Sequence, residues 1–394
     1  MKIKAIDLTN YRSLKNVRLR DLGDVVVFFG DNDTGKSNVL SFLETLFKRR
    51  YRAEVTKIGK SEDFPEGTRV EHVPSAFWDG VLDEFSDNFH KNAADLITFD
   101  VQLEIRRQEL SSDGRFPRSL LSAVYRKGGG RRLDVVGRIS RLGPIQAQVS
   151  LESVTFGGVP LYDSSKTGVQ RFLPGVQQVK PSSREAVFAA LMGKLDDSFV
   201  RVPPNRFLAQ EEEILGRERR VGLSAETFKN WLFQTSLDKS TEYVFREIRA
   251  RFSSEPFQGG YLTLARVGQG ALEIVIEDSR GVRLPIGRKG TGMQQVLLVL
   301  AFVENARNAR FLGIEELETN LSPRAINSAM SMLKALLPTG TTMIEQLFLT
   351  THSPKIASIS EGVQRHFVAL NGNGETEIRG ADDPMVNDFY WPPE

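Results

Sequence analysis

Apolar and polar positions interleave at the start of the chain, where Ile3, Ala5 and Leu8 alternate with polar neighbours and predict short strands within residues 2–30. The run Val25–Phe29 is apolar throughout and ends at Gly30, the pattern of a buried strand. The period then changes, and Val39, Leu43, Leu46 and Phe47 predict a helix starting at Ser37. Residues 51–96 break into Pro, Gly and charged positions with scattered aromatics such as Phe77, Trp78 and Phe85, as expected of an inserted loop region. Strand-like segments over Ile97–Arg106, Ser122–Tyr125, Leu133–Ile139, Gln146–Phe156 and Phe199–Val202 predict an antiparallel layer. Ser224 is placed to cap one long amphipathic helix reaching about Phe252, with Phe228, Trp231, Leu232, Leu237, Val244 and Ile248 as its apolar stripe. The final third predicts a helix over Gly292–Asn308, a strand at Phe311–Ile314, a helix after Pro323, a strand at Gln346–Thr350 and a hairpin around Asn371–Gly374.

Composition narrows the function classes only a little. Lys and Arg total 52 against 50 Asp and Glu, a net charge of +2 that does not by itself argue for nucleic acid, so any basic surface is local. Cysteine is absent, which excludes a disulfide framework, a Cys-based zinc site and a thiol nucleophile. The N-terminus lacks the continuous apolar core of a secretory signal, and no apolar run approaches the ~20 residues of a membrane helix. The expectation is a cytoplasmic protein with no membrane partner.

The chemistry is concentrated in two short runs. Gly30-Asp31-Asn32-Asp33-Thr34-Gly35-Lys36-Ser37 matches G-x-x-x-x-G-K-[ST] and lies between the buried strand and the helix, where a phosphate-binding loop belongs. Glycines there let backbone N–H groups curl around phosphate oxygens, the helix start adds partial positive charge, Lys36 reaches the outer phosphates, and Ser37 offers a hydroxyl to Mg²⁺. Phe311-Leu312-Gly313-Ile314-Glu315-Glu316 is a mostly apolar strand ending in two carboxylates. Glu315 takes the metal-side position and Glu316 that of the general base, which activates water in line with the γ-phosphate.

Ile314-Glu315-Glu316-Leu317-Glu318-Thr319-Asn320-Leu321-Ser322-Pro323 resembles the I-E-E-P-E-x-x-L-x-P run of OLD-family ATPases, with Leu317 in place of the usual proline. Gly290-Thr291-Gly292-Met293-Gln294-Gln295 resembles an ABC-type signature in its OLD-like form, and Leu349-Thr350-Thr351-His352-Ser353-Pro354 resembles the switch-histidine motif. Asn10-Tyr11-Arg12-Ser13-Leu14 is similar to the segment that precedes the phosphate loop in RecF-like and SMC-like heads. The resemblance implies an α/β fold, a P-loop NTPase head of ABC type with a mixed sheet, an antiparallel β layer and an inserted helical lobe. It places the ATPase core in residues 1–50 and 280–394, with 51–279 as an inserted region and possible DNA or partner interface. It also implies ATP and Mg²⁺ as ligands. Arg12, Gly30, Asn32, Thr34, Gly35, Lys36, Ser37 and Asn38 would line the nucleotide. Thr291 and Gly292 would face the γ-phosphate of another subunit, Ser37 and Glu315 would hold the metal, and Glu316 and His352 would be catalytic.

Weaker signals accompany these. Phe199–Arg206 resembles the segment leaving the antiparallel layer, and Gln210 is a candidate for a Q-loop role. The basic elements Arg126–Arg132 and Arg217–Arg220 could touch phosphate backbones or be solvated surface. Heptads are not sustained, so the long coiled-coil arms of SMC proteins are absent. The 42 residues that follow His352, Asp382 and Asp383 among them, are too few for the Toprim nuclease domain of OLD proteins, so a nuclease or other effector is expected on a separate chain. The leading expectation is an ATPase that closes as a head-to-head dimer and governs a DNA-directed complex in antiphage defence or recombination and repair. The alternatives are an ATP-dependent scaffold with little turnover and an ABC transporter ATPase subunit. The departures at Thr291–Gln294 count against the transporter.

Overall fold

The computed structural model describes residues 1–47, 55–56, 69–70, 80–82, 89–90, 96–111, 116, 118–126, 132–144, 146–176, 179–204, 206–209, 212–215, 222–268, 270–337, 343–359, 361–381 and 386. The candidates Lys127–Arg131, Gln210, Arg217–Arg220, Asp382 and Asp383, and most of the inserted loop region, lie outside the described residues. The chain forms two compact units, Met1–Phe199 with Glu361–Glu394, and Val200–Ser360.

In the first unit the strands Lys2–Tyr11, Leu14–Leu19, Leu96–Glu104, Arg132–Arg141, Ala147–Phe156 and Val159–Asp163 build an antiparallel layer in which Lys2–Tyr11 pairs with Leu14–Leu19 on one side and Leu96–Glu104 on the other. Its register sets Leu8 opposite Phe99 and Val101 opposite Val135, so alternate side chains fall on one buried face. The expected strand at Ser122–Tyr125 is instead part of a helix, Arg118–Arg126. Leu120 and Leu121, adjacent in sequence, are both buried, which a strand with one buried face does not allow, and the Tyr125 ring packs edge-on against Phe156 at 5.7 Å. The strand Val25–Phe29 is buried at every position, pairs in parallel with Gln364–Leu370, and feeds the helix Lys36–Phe47. Gln364–Leu370 returns antiparallel to Thr376–Gly380 through the expected hairpin, where Asn371 Oδ1 accepts from the Asn373 and Glu375 amides at 2.9 and 3.0 Å.

In the second unit Phe311–Glu315 pairs in parallel with Gln346–Thr351, and every residue of both strands is buried. The single long helix expected from Ser224 to Phe252 is two helices, Phe228–Leu237 and Glu242–Ser253. They are separated at Asp238, whose carboxylate accepts from the Ser240 amide and hydroxyl at 2.8 and 2.7 Å. Ser224 does not cap the first helix. The carboxylate of Glu212 does so from outside, accepting from the Lys229 and Asn230 amides at 2.9 and 2.8 Å. Phe228, Trp231, Leu232, Val244 and Ile248 of the two helices close one core with Leu262, Ile274 and Ile276 and with Val296, Leu297, Leu298, Leu300 and Ala301 of the helix Thr291–Asn305, whereas Leu237, expected in the stripe, is exposed. Leu262, Ile274 and Ile276 come from an antiparallel sheet of Tyr261–Val267, Ala271–Glu277 and Arg283–Pro285, which the sequence pattern did not single out.

His366 sits in the hairpin strand, stacked on Phe28 at 5.6 Å, with a buried Nε2 that has no hydrogen-bond partner. Burial lowers its pKa to about 4. The unfolded chain therefore takes up this proton first as pH falls, and the stabilisation present above about 6.5 is lost on the way down to about 4. Acidification from about pH 7 to about pH 5 is expected to cost roughly 2 kcal/mol through this residue alone. Melting temperatures of wild type and His366→Phe across that interval check it: the variant should lose distinctly less, and parallel curves would remove His366 from the account.

Candidate functional site

The phosphate loop is built by a strand that cannot end straight. Gly30 leaves Val25–Phe29 at φ 154. A Cβ there would run into the Val368 carbonyl oxygen of the paired strand, and one at Gly35 would strike the Thr376 and Ser13 hydroxyls. Thr34 Oγ1 donates to Asp31 O at 2.9 Å, tightening the loop, while Asn32 is exposed at its crest. Lys36 is 6% exposed, and its Nζ donates to Gly30 O at 3.0 Å and to Asp31 O. The ammonium is thus held inside the loop by the loop's own carbonyls. Ser37 follows at the start of the helix, half-buried.

A second layer locks the loop to the rest of its unit. Asn38 Nδ2 donates to Ser13 Oγ at 2.7 Å, and Arg12 Nη1 donates to Asn38 Oδ1 at 3.3 Å. Asn10 and Arg12 both take left-handed backbone, φ 61 and 51, in the turn that presents these groups. Thr376 Oγ1 lies 2.6 Å from Ser13 Oγ and donates to Thr34 O at 2.7 Å. Arg12, Asn38 and the phosphate loop therefore come together in one unit. Thr376 joins them from 342 residues beyond Thr34, with no local signal in its own segment.

The second unit assembles the other candidates. Glu315 ends its strand 1% exposed and forms an ion pair with Arg201. Glu316 follows in left-handed backbone, φ 44, its amide donating to Thr350 O at 2.9 Å, its Oε2 accepting from Thr319 Oγ1 at 3.3 Å. Arg206, absent from the sequence-derived site, donates to the Glu315 and Glu316 carbonyls at 2.6 and 2.9 Å. Burial lowers its pKa to about 10, against the opposing pull of Glu318, Glu316 and Glu315. Glu318, also unassigned from sequence, gathers the His352 loop. Its Oε1 accepts from Thr351 Oγ1, His352 N and Ser353 N at 2.6, 2.8 and 3.1 Å, and lies 3.3 Å from His352 Nδ1. His352 itself is 43% exposed, so its ring can meet a ligand. Thr291 is exposed at the start of the helix Thr291–Asn305, with Gly290 and Gly292 on either side.

These residues suit a magnesium nucleotide. A curled glycine loop with a buried ammonium receives phosphate oxygens. Among the described residues no three His, Asp or Glu side chains gather as a metal site, and Mg²⁺ in phosphoryl-transfer sites needs only one or two protein oxygens beside phosphate and water.

Comparison with known proteins agrees with this chemistry. No curated protein matches the chain. Among solved structures, the SMC head domain from Thermotoga maritima is 14% identical, with 97% of this chain and 100% of that chain covered and a TM-score of 0.46. SmcHead bound to the C-winged helix domain of ScpA is 13% identical, with 96% and 97% covered and a TM-score of 0.51. The Smc head domain with an extended coiled coil, bound to the C-terminal domain of ScpA derived from Pyrococcus furiosus, is 11% identical, with 95% of each chain covered and a TM-score of 0.47. The mixed α/β fold with several sheets is that of an SMC head. No described helix is long and apolar enough to cross a membrane. The sequence profile of the AAA ATPase domain matches residues 1–108 and 222–357, more than half of the chain, and the protein belongs to that ATPase family.

Proposed function

We propose that the chain binds and hydrolyses Mg²⁺-ATP, that two copies close head to head over two nucleotides, and that this cycle governs a DNA-directed assembly whose effector is a separate chain. The observation that carries the reading is the buried Lys36 ammonium inside a glycine loop, a cation whose carbonyl partners can give way to the β- and γ-phosphates. Arg12 and Asn38 brace that loop, and Ser37 and Glu315 are the metal-side groups. Mg²⁺ supplies charge neutralisation at the phosphates. Glu316 accepts the proton of the attacking water, and His352, its loop fixed by Glu318, faces the γ-phosphate. The exposed helix start at Thr291 and Gly292 offers backbone amides and a positive dipole end to the γ-phosphate of a second copy. Both half-sites belong to one chain, which makes the closed pair isologous.

The DNA-directed role, and its setting in antiphage defence or in recombination and repair, rests on the resemblance of Ile314–Pro323, Thr291–Gln294 and His352–Pro354 to OLD-family heads. A protein partner is supported by the solved SmcHead, which is bound to a winged-helix domain of ScpA.

Lys36→Ala should weaken ATP binding ~10- to 100-fold, the worth of a charge-assisted contact, and calorimetry checks it; unchanged affinity would sink the phosphate-loop assignment. Glu316→Gln should bind ATP normally and hydrolyse it at least ~100-fold more slowly, and full turnover by this variant would move the base elsewhere. Light scattering of Glu316→Gln with saturating ATP should give twice the monomer mass, and Thr291→Arg introduced into it should restore the monomer. A species that stays monomeric with ATP would overturn the two-headed site.

A further inference from the structure

Arg206 heads the fully buried side chains of the described residues by size, with none of its surface reached by solvent. Its guanidinium is used almost completely. Nη1 donates to Pro203 O at 2.9 Å and Glu315 O at 2.6 Å, Nη2 donates to Glu316 O at 2.9 Å, and Nε donates to Gln295 Oε1 at 2.9 Å. Gln295 answers with its own Nε2, which donates to Arg206 O at 2.6 Å. Gln295 is 0% exposed and stands one turn after Thr291 in the helix Thr291–Asn305. The start of that helix also touches the turn beyond Glu316, because a Cβ on Gly292 would meet Asn320 O at 3.0 Å.

A guanidinium whose task was only to satisfy the end of the strand would need the two carbonyls and no more. Here the planar fork grips the peptide groups of both candidate carboxylates on one side and clasps the helix on the other. Lysine cannot reproduce this, since its ammonium is a single point of charge without the rigid fork. The carbonyls are those of Glu315 and Glu316 themselves, so any shift of the helix relative to the strand end must turn the two residues that orient metal and water.

We infer that Arg206, clasped to Gln295, is a positioning residue that couples the Thr291–Gly292 helix start to Glu315 and Glu316, so that a γ-phosphate presented by a second copy sets the carboxylates for hydrolysis. The inference rests on the two-headed ATPase reading above. It gives ATP a means of delaying its own hydrolysis until the partner head has closed.

The test is steady-state ATP hydrolysis by the full chain. Gln295→Met keeps size and helix propensity and cuts the clasp while leaving the carbonyl contacts of Arg206 in place. It should lower kcat about tenfold with KM and calorimetric ATP affinity within about threefold of wild type. Arg206→Lys should do the same more severely. In a Thr291→Ala background, Gln295→Met should cause little further loss, because both changes interrupt one line of coupling. Wild-type kcat in Gln295→Met, whatever its melting temperature, overturns the inference, as does a kcat loss matched by an equal loss of ATP affinity. If Arg206→Lys fails to fold, the Gln295→Met result decides alone. A wild-type chain that hydrolyses no ATP brings down the ATPase reading and the coupling together, whereas an active wild type beside an equally active Gln295→Met brings down only the coupling.

Discussion

Glu316 must hold left-handed backbone, φ 44, directly after a strand with no exposed position. For a residue with a Cβ this conformation costs on the order of 1 kcal/mol, and it persists only where the surroundings over-determine it. They do so here from three directions. Thr350 O takes the Glu316 amide at 2.9 Å, and Glu316 O accepts from Thr319 N at 3.0 Å and from Arg206 Nη2 at 2.9 Å. The Glu316 carboxylate itself accepts from Thr319 Oγ1 at 3.3 Å within the same turn. Arg206, Gln295 and the Glu318 loop are explained by the need to keep that turn in one conformation.

The cost of holding it is buried charge. A guanidinium taken out of water loses several kcal/mol of solvation, and only complete hydrogen bonding offsets that. Arg206 meets the requirement with carbonyls and one amide side chain, not with a bonded carboxylate, and the ion pair to the Glu315 carboxylate comes from Arg201 instead. A different solution serves the far end of the signature helix. There Glu304, 1% exposed, lies between Arg251 at 2.8 Å and Arg307, and burial pushes its carboxyl pKa up while the two arginines pull it down. The helix is tied at both ends by charged side chains, at Gln295 through Arg206 and at Glu304 through two arginines, and its middle is held by apolar packing.

What the sequence made legible follows local chemistry. The runs Val25–Phe29 and Phe311–Glu315 are continuous enough in apolar residues to fix buried strands, and G-x-x-x-x-G-K-S and Glu315-Glu316 sit at their ends because that is where backbone turns toward a ligand. Periodicity failed where tertiary partners decide. Ser224 looked like a cap because it precedes an apolar stripe, yet the carboxylate of Glu212 reached the helix first. Ser122–Tyr125 read as a strand, yet it lies in the helix Arg118–Arg126, where Leu120 and Leu121 are both buried and Tyr125 packs on Phe156. Thr376 was illegible for the same reason: its role comes from a hairpin that pairing in the sheet returns to the phosphate loop. Glu318 and Arg206 stood inside motifs already noticed, but only hydrogen bonds to His352 and to two carbonyls reveal what they do.

Lys36 and Arg206 pose one physical problem with opposite answers. Each is a cation shielded from water and satisfied by backbone carbonyls. For Arg206 the donors are divided among four acceptors in fixed directions, and releasing it would take a donor from the Glu315 and Glu316 carbonyls together. Lys36 is held by carbonyls of its own loop, Gly30 O and Asp31 O, and its flexible stem lets the ammonium leave them for an incoming anion. The exchange replaces neutral acceptors by charged phosphate oxygens, which form hydrogen bonds about twice as strong, so it runs in favour of the nucleotide without leaving an uncompensated charge at any stage. A loop that satisfies its lysine in this way can fold before the nucleotide arrives. The lysine therefore remains an adaptable contact, and the rigid fork of Arg206 belongs where the geometry must not adapt.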